Sequence, residues 1–227
     1  MRAWIIGEIV WMGAAAFASA YMMRQVRKPS RWLGQSTVKG MNERHSPLTD
    51  WGLTHVEIKP QDTILDVGCG GGLTLHKLAL LAAQGHVYGV DYAQGSLAAS
   101  RTLNCELIAQ DRVQVEHATV SKLPFPEDKF DLVTAIETQY YWPNLPGDMR
   151  EILRVLKPGG KLIIIAESYK GGRSEWIEGP MMRVLLGLRR LGPADQRALF
   201  ANAGYIDVQI SEDRSKGWIS IIGTKPG

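Results

Sequence analysis

Thr63-Ile64-Leu65-Asp66-Val67-Gly68-Cys69-Gly70-Gly71-Gly72 decides how the rest of the chain is read. Thr63 to Val67 is a short apolar strand running straight into glycines. A helical pattern follows at once, with Leu73, Leu75, Leu78, Leu81 and Ala82 near helical spacing. Strand, glycine turn and helix together make a cradle of nucleotide size. Glycine allows the tight turn and a close backbone approach, and the helix start offers free N–H groups. Such loops usually hold pyrophosphate. Asp66, two residues before the first glycine, is unsuited to that: a carboxylate repels phosphate and attracts an ammonium group.

Downstream runs supply the remaining strands. His86 to Asp91 is a second buried strand ending in a carboxylate. Asp91 lies about 20 residues past the glycine loop, the spacing at which an acidic residue meets ribose hydroxyls. Capping the next helix is its alternative role. Tyr92 can lie against an adenine face. Gln94 to Ala109 reads as one amphipathic helix, with Leu97, Arg101 and Cys105 four residues apart. Arg112 to His117 alternates as a third strand, and Phe130 to Glu137 is a continuous apolar fourth. Asp131 has a structural role at its start. Glu137-Thr138-Gln139-Tyr140-Tyr141-Trp142-Pro143 then clusters polar and aromatic groups at the carboxyl end, where open α/β sheets bind ligands. Pro146 to Leu156 is a helix, followed by a turn and a fifth strand through Ile165. Pro193 to Ala203 is a helix stopped by Gly204, and Tyr205–Ile210 and Gly217–Ile222 pair as a last hairpin.

Asp66-Val67-Gly68-Cys69-Gly70-Gly71-Gly72 resembles motif I of the class I S-adenosylmethionine (SAM)-dependent methyltransferases. Leu123-Pro124-Phe125-Pro126, Phe130-Asp131-Leu132-Val133 and Leu156-Lys157-Pro158-Gly159-Gly160 resemble further segments of small-molecule members similar to those of quinone biosynthesis. The resemblance covers roughly Asp62 to Lys225. It implies an α/β, Rossmann-like, seven-stranded and mostly parallel sheet, order 3-2-1-4-5-7-6, with helices on both faces and strand 7 antiparallel. It implies SAM as cofactor: Asp66, Gly68, Cys69 and Gly70 at the methionine part, Asp91 at ribose with Tyr92 beside it. Relatives often carry an aspartate for the adenine amine where this chain has Thr119, so that contact passes to Thr119 or Val120. Glu137 completes the cofactor set. The implied activity is methyl transfer by direct displacement to a small or lipophilic acceptor. Glu137, Tyr140 and Tyr141 are the catalytic candidates, with His45 as another base where a phenol or carbon acid must lose a proton.

Two rivals stand beside this. An NAD-dependent oxidoreductase needs pyrophosphate at the glycine loop, and no hydride-transfer set such as Tyr-x-x-x-Lys is found. A SAM-binding membrane-associated protein without methyl transfer would share the cradle and yield no product.

The 227 residues divide into an apolar helix at 1–27, a lid or linker at 28–61 and the SAM-binding domain at 62–227. With 45% hydrophobic and 22% charged residues, a folded globular domain is expected. A formal charge of +3, without basic runs interleaved with aromatics, argues against nucleic acid as a partner. Cys69 and Cys105 read as free thiols in a reducing compartment. The five scattered histidines show no metal-ligand spacing, so no metal is expected. Residues 3–23 are apolar except for Glu8 and Ser19, with Arg24, Arg27, Lys28 and Arg31 following. They read as a membrane-contacting helix that leaves the domain on the cytoplasmic side, as a signal peptide cut after Ala18-Ser19-Ala20, or as a soluble packing helix. The first is favoured, giving a cytoplasmic enzyme attached to the membrane face. Glu8 opposes full insertion, at about 2.5–3.5 kcal/mol. Asn42, Arg44, His45, Thr49, Asp50 and Trp51 make the lid segment a substrate-pocket candidate, and Gly171 to Arg190 is expected to wall the acceptor.

Overall fold

In strand β1 (Thr63–Val67), Ile64, Leu65 and Val67 are apolar because sheet neighbours and helices bury them on both faces. It pairs in parallel with β2 (His86–Asp91) and with β4 (Phe130–Ile136). The computed structural model describes residues 44–172 and 190–227. The expected N-terminal apolar helix, residues 28–43 of the lid segment with Asn42, and residues 173–189 of the expected acceptor wall lie outside the described residues. Among those described, no helix is long and apolar enough to cross a membrane.

β3 (Val113–His117) flanks β2, and β5 (Leu156–Ala166) flanks β4, all parallel. β7 (Trp218–Thr224) returns antiparallel between β5 and β6 (Ile206–Asp213). The order β3-β2-β1-β4-β5-β7-β6 is the expected one. Alternate side chains feed two cores. Ile64, Ile163 and Ile165 meet helical residues 44–53 (α1), α2 (Leu73–Leu81) and α3 (Gln94–Leu103). Leu65, Leu162 and Ile164 meet the opposite layer, with Met149 and Ile152 of α5 (Leu145–Val155) and Phe200 of α6 (Pro193–Ala203).

The expected helix Gln94–Ala109 is broken into α3 and a short α4 (Cys105–Ala109). Asn104 causes the break. Its buried amide donates to the carbonyl of Ser100 and across to that of Gly72, both at 3.0 Å. A local side-chain bond of this kind competes with helix continuation. It also ties the end of α3 to the exit of the glycine loop. Gly72 is needed there on two counts: its φ is +82°, and a Cβ would lie 2.4 Å from Ser100 Oγ. The third strand starts one residue late because Arg112 turns back to cap α2. Its guanidinium donates to the carbonyls of Ala79, Ala82 and Gly85 at 2.7–2.8 Å. Asp131 has the expected structural role, accepting from Thr63 N and pairing with Lys157, each at 2.8 Å.

Asn104→Ala should therefore leave the Gly72 carbonyl without its side-chain donor and cost about 1–3 kcal/mol. A urea unfolding curve would show the midpoint fall; an unchanged midpoint would mean the bolt between α3 and the loop carries no stability.

Candidate active site

At the carboxyl ends of β1, β2 and β4 the sheet opens into a cavity of about 420 Å³. Every residue assigned to the cofactor lines it: Asp66, Gly68, Cys69, Gly70, Asp91, Tyr92, Thr119, Val120 and Glu137. Of the catalytic candidates, Glu137 and Tyr141 line it. Tyr140 is buried behind the wall, outside the lining.

The glycine loop is held down by its own hydrogen bonds. Gly68 N and Cys69 N both donate to Val90 O, at 2.8 and 3.0 Å. Gly70 N donates to Asp91 Oδ2 at 3.0 Å. A phosphate nest needs such N–H groups free and aimed at the ligand; here they stitch β1 to β2. Gly68 has φ +77°, and a Cβ there would meet Thr138 Cγ2 at 2.4 Å, so neither the turn nor the space admits a side chain.

Two carboxyl groups flank this loop. Asp66 is 2% exposed, and its Oδ1 accepts from Thr134 Oγ1 of β4 at 2.6 Å. Burial raises its pKa from 3.8 to about 7, against the Thr134 hydrogen bond, with nearby Asp91 adding to the rise. Asp91 accepts from Ala93 N at 2.8 Å as well as from Gly70 N. It thus makes the helix-start contact that one reading gave it and also lines the cavity that the ribose reading requires. Burial raises its pKa too.

Thr119 and Val120 are held over the cavity by α5. Ser121 Oγ donates to the buried Asp148 at 2.6 Å. Leu123 N donates to Glu151 at 2.8 Å, and Arg154 donates to the carbonyls of Leu123 and Phe125 at 3.3 and 2.9 Å. Asp148, Glu151 and Arg154 brace this wall, and none was singled out in the sequence.

The opposite rim combines β4, β5 and α1. Glu137 follows β4 with φ +57°, uncommon for a residue with a side chain. Its Oε1 accepts from Glu167 N at 2.5 Å and from Tyr140 OH at 3.0 Å. Burial first, then Glu167, raises the Glu137 pKa to about 7. Tyr140 OH also accepts from Ser168 N at 3.1 Å, and burial holds its pKa well above the usual value. Both functions of that hydroxyl are spent on structure. His45, Ser46 and Thr49 of α1 reach the cavity. Arg44 donates to Glu167 Oε1 at 2.7 Å, while Lys77 of α2 pairs with Asp50 and donates to Ser46 Oγ at 2.7 Å. Trp51 turns away and packs on His55 and Trp218. Gly52 lets α1 lie directly on β5, since a Cβ would fall 2.3 Å from Ile165 Cδ1. His45, Glu137 and Glu167 bring ligand-type atoms within 4.8 Å of one another. Arg44, Tyr140 and Glu167 N already donate to the carboxylate oxygens there, so the cluster is read as a proton-sharing group.

Asp66 sets a sign for stability. Between 3.8 and about 7 the folded chain keeps a proton that the unfolded chain releases, so stability falls as pH rises through that window. Asp66→Asn keeps an acceptor for Thr134 and removes the charge. Chemical unfolding of the ligand-free variant near pH ~8 should show a gain on the order of 2–4 kcal/mol over the parent, fading toward pH ~4. A loss at pH ~8 would mean that the buried carboxylate is not under strain.

Residues 65–164 match the family model described as a methyltransferase domain. Demethylmenaquinone methyltransferase of Symbiobacterium thermophilum is 37% identical over 117 residues, 51% of this chain and 47% of that protein. 27-O-demethylrifamycin SV methyltransferase of Amycolatopsis mediterranei is 30% identical over 124 residues, 55% of this chain and 45% of that one. The chain spans about half the length of these curated relatives. Among solved structures, a methyltransferase from Haloferax volcanii, in complex with the Trm112 activator, superposes with a TM-score of 0.73 at 21% identity, covering 85% of this chain and 95% of its own. Geranyl diphosphate C-methyltransferase of Streptomyces coelicolor, with S-adenosyl-L-homocysteine bound, gives 0.69 at 17% identity, covering 87% and 86%. Residues 65–164 thus match the methyltransferase-domain model, and the seven-stranded sheet that carries them has the fold of these solved methyltransferases.

Proposed function

We propose that the chain is a SAM-dependent methyltransferase that alkylates a small, lipophilic acceptor by direct displacement. One observation carries the reading: a buried carboxyl, Asp66, stands beside a glycine loop in which the N–H groups of Gly68, Cys69, Gly70 and Gly72 are spent internally. That pairing favours a ligand with an ammonium group over one with a diphosphate. The names of the relatives, which act on a menaquinone precursor and a rifamycin, support a small acceptor.

In this reading Asp66 takes the amino group of the methionine part, and the Gly68–Gly70 main chain lies along it. Asp91 accepts from the ribose hydroxyls with the lone pairs left by Gly70 and Ala93. Tyr92 covers one side of the adenine, and Thr119 and Val120 meet its edge. The bound sulfonium supplies a methyl carbon already activated for attack. The protein's share is alignment, an effect that can contribute about 7–11 kcal/mol. Tyr141, Trp142 and Pro143 give the acceptor side an apolar wall. Aromatic faces there attract a sulfonium by about 0.5–2 kcal/mol.

Calorimetric titration with SAM and with NAD separates the main rival. Saturable binding of SAM with none of NAD is expected, and Asp91→Ala should weaken SAM by about 10- to 100-fold, the worth of a charged hydrogen bond or two. Binding of NAD in preference to SAM would refute the reading. Transfer of label from methyl-labelled SAM into a fractionated cell extract separates an enzyme from a binding protein. Binding without any labelled product would favour the latter.

A further inference from the structure

The cluster of His45, Glu137 and Glu167 is more than the cofactor needs. His45 comes from α1, Glu137 from the end of β4 and Glu167 from the end of β5, and their polar atoms converge at the acceptor side of the cavity. His45 and Glu137 line the cavity itself. His45 Nε2 stands 3.7 Å from Glu167 Oε1. Four charged or titratable groups surround the imidazole: Arg44, Glu137, Glu167 and Tyr140.

Three of these four are committed to structure. Tyr140 donates to Glu137 and accepts from Ser168 N, so its hydroxyl has no free function. Glu137 Oε1 takes two donors, Tyr140 OH and Glu167 N. Arg44 donates to Glu167. Glu167 is held below the usual carboxylate range, by His45 first and the Arg44 charge next, against its partial burial. An ionised carboxylate beside the imidazole selects the tautomer in which Nε2 carries the hydrogen toward Glu167 and Nδ1 keeps its lone pair.

We infer that His45, oriented by Glu167, is the catalytic base of the methyl transfer, and that the acceptor is a lipophilic molecule with an ionisable hydroxyl. The inference rests on the methyltransferase reading above. In the step, the acceptor oxygen donates an electron pair to the methyl carbon. The carbon–sulfur bond breaks with its pair passing to sulfur. The hydroxyl proton passes to His45 Nδ1, and the resulting imidazolium faces Glu167. Thiols and amines have less use for such a base, since the first ionises readily and the second attacks through its lone pair before losing a proton. Glu167 is a positioning residue, and so is Tyr140 through Glu137.

The test uses the full chain, methyl-labelled SAM and a series of substituted phenols and naphthols, from weak acids to nitrophenols ionised at neutral pH. Thiophenols and anilines of matching shape run alongside. Label should enter the hydroxyl compounds in preference to the thiols and amines. His45→Gln should lose about 10²- to 10⁴-fold in kcat on the weakly acidic phenols, and less than about tenfold on those already ionised. Glu167→Gln should move the acid limb of the kcat–pH profile to lower pH, a shift that loss of packing alone would not produce. SAM titration of each variant reports whether the cofactor site is intact. A uniform His45→Gln effect across the series, an unmoved acid limb, or label in thiols or amines but in no hydroxyl compound would overturn the assignment. Failure of the parent protein to bind SAM would instead overturn the reading beneath it.

Discussion

A carboxyl group in the middle of a parallel sheet is the constraint on which this structure turns. Asp66 sits on the central strand, nearly buried at the edge of the cavity, with Thr134 as its hydrogen-bond donor. Left ionised and unpaired, such a group is expensive; protonated, it is tolerable, which is why its pKa climbs to about 7. In the proposed reading, the ammonium group of the ligand supplies the missing countercharge. The glycine loop follows from the same arrangement. Because its N–H groups bind Val90 O and Asp91, the loop brings a second carboxyl to the rim and offers little to an anion.

The parts of the fold set by local pattern were legible. Ile64, Leu65 and Val67, Val87 and Val90, and Leu132, Val133 and Ala135 are apolar and buried because each strand is covered on both faces, and apolar runs between turn residues record that directly. Gly68 and Gly72 announce the loop because each has positive φ and meets a neighbour where a Cβ would stand. What stayed hidden depends on partners distant in sequence. Asn104 looks like an ordinary helix residue until Gly72 lies across from it. Asp148, Glu151 and Arg154 look like a solvated helix face until the Ser121–Phe125 segment folds against them. The aromatic run after Glu137 was read as one functional group, yet the 3-10 turn Gln139–Tyr141 sends Tyr140 inward and Tyr141 toward the cavity. No spacing rule reveals that His45 and Glu167 meet, because α1 and β5 are joined only through the fold.

The segment around α1 shows how a cover over a cofactor site can be rigid and polar at once. Leu48 and Leu53 anchor it in the core, and Gly52 lets it approach β5. Arg44 on Glu167 and Lys77 on Asp50 tie its polar side to two different elements. Exposed ion pairs of this kind contribute little to stability, about 0–1 kcal/mol each. Their role here is geometric: they fix where His45, Ser46 and Thr49 stand over the cavity. In the proposed reading both sides are built from residues far apart in the chain: the cofactor side joins the glycine loop to Asp91, Thr119 and Val120, and the acceptor side joins α1 to the ends of β4 and β5.

The central claim is that a cationic ligand ionises Asp66 when it binds. Calorimetric titration with SAM near pH ~6.5, in two buffers of different ionisation enthalpy, counts the protons exchanged. With the Asp66 pKa at about 7, binding should release between roughly half a proton and one proton per SAM, and Asp66→Asn should remove that release. Binding of SAM with no proton released, or with the same release from the asparagine variant, would contradict the account.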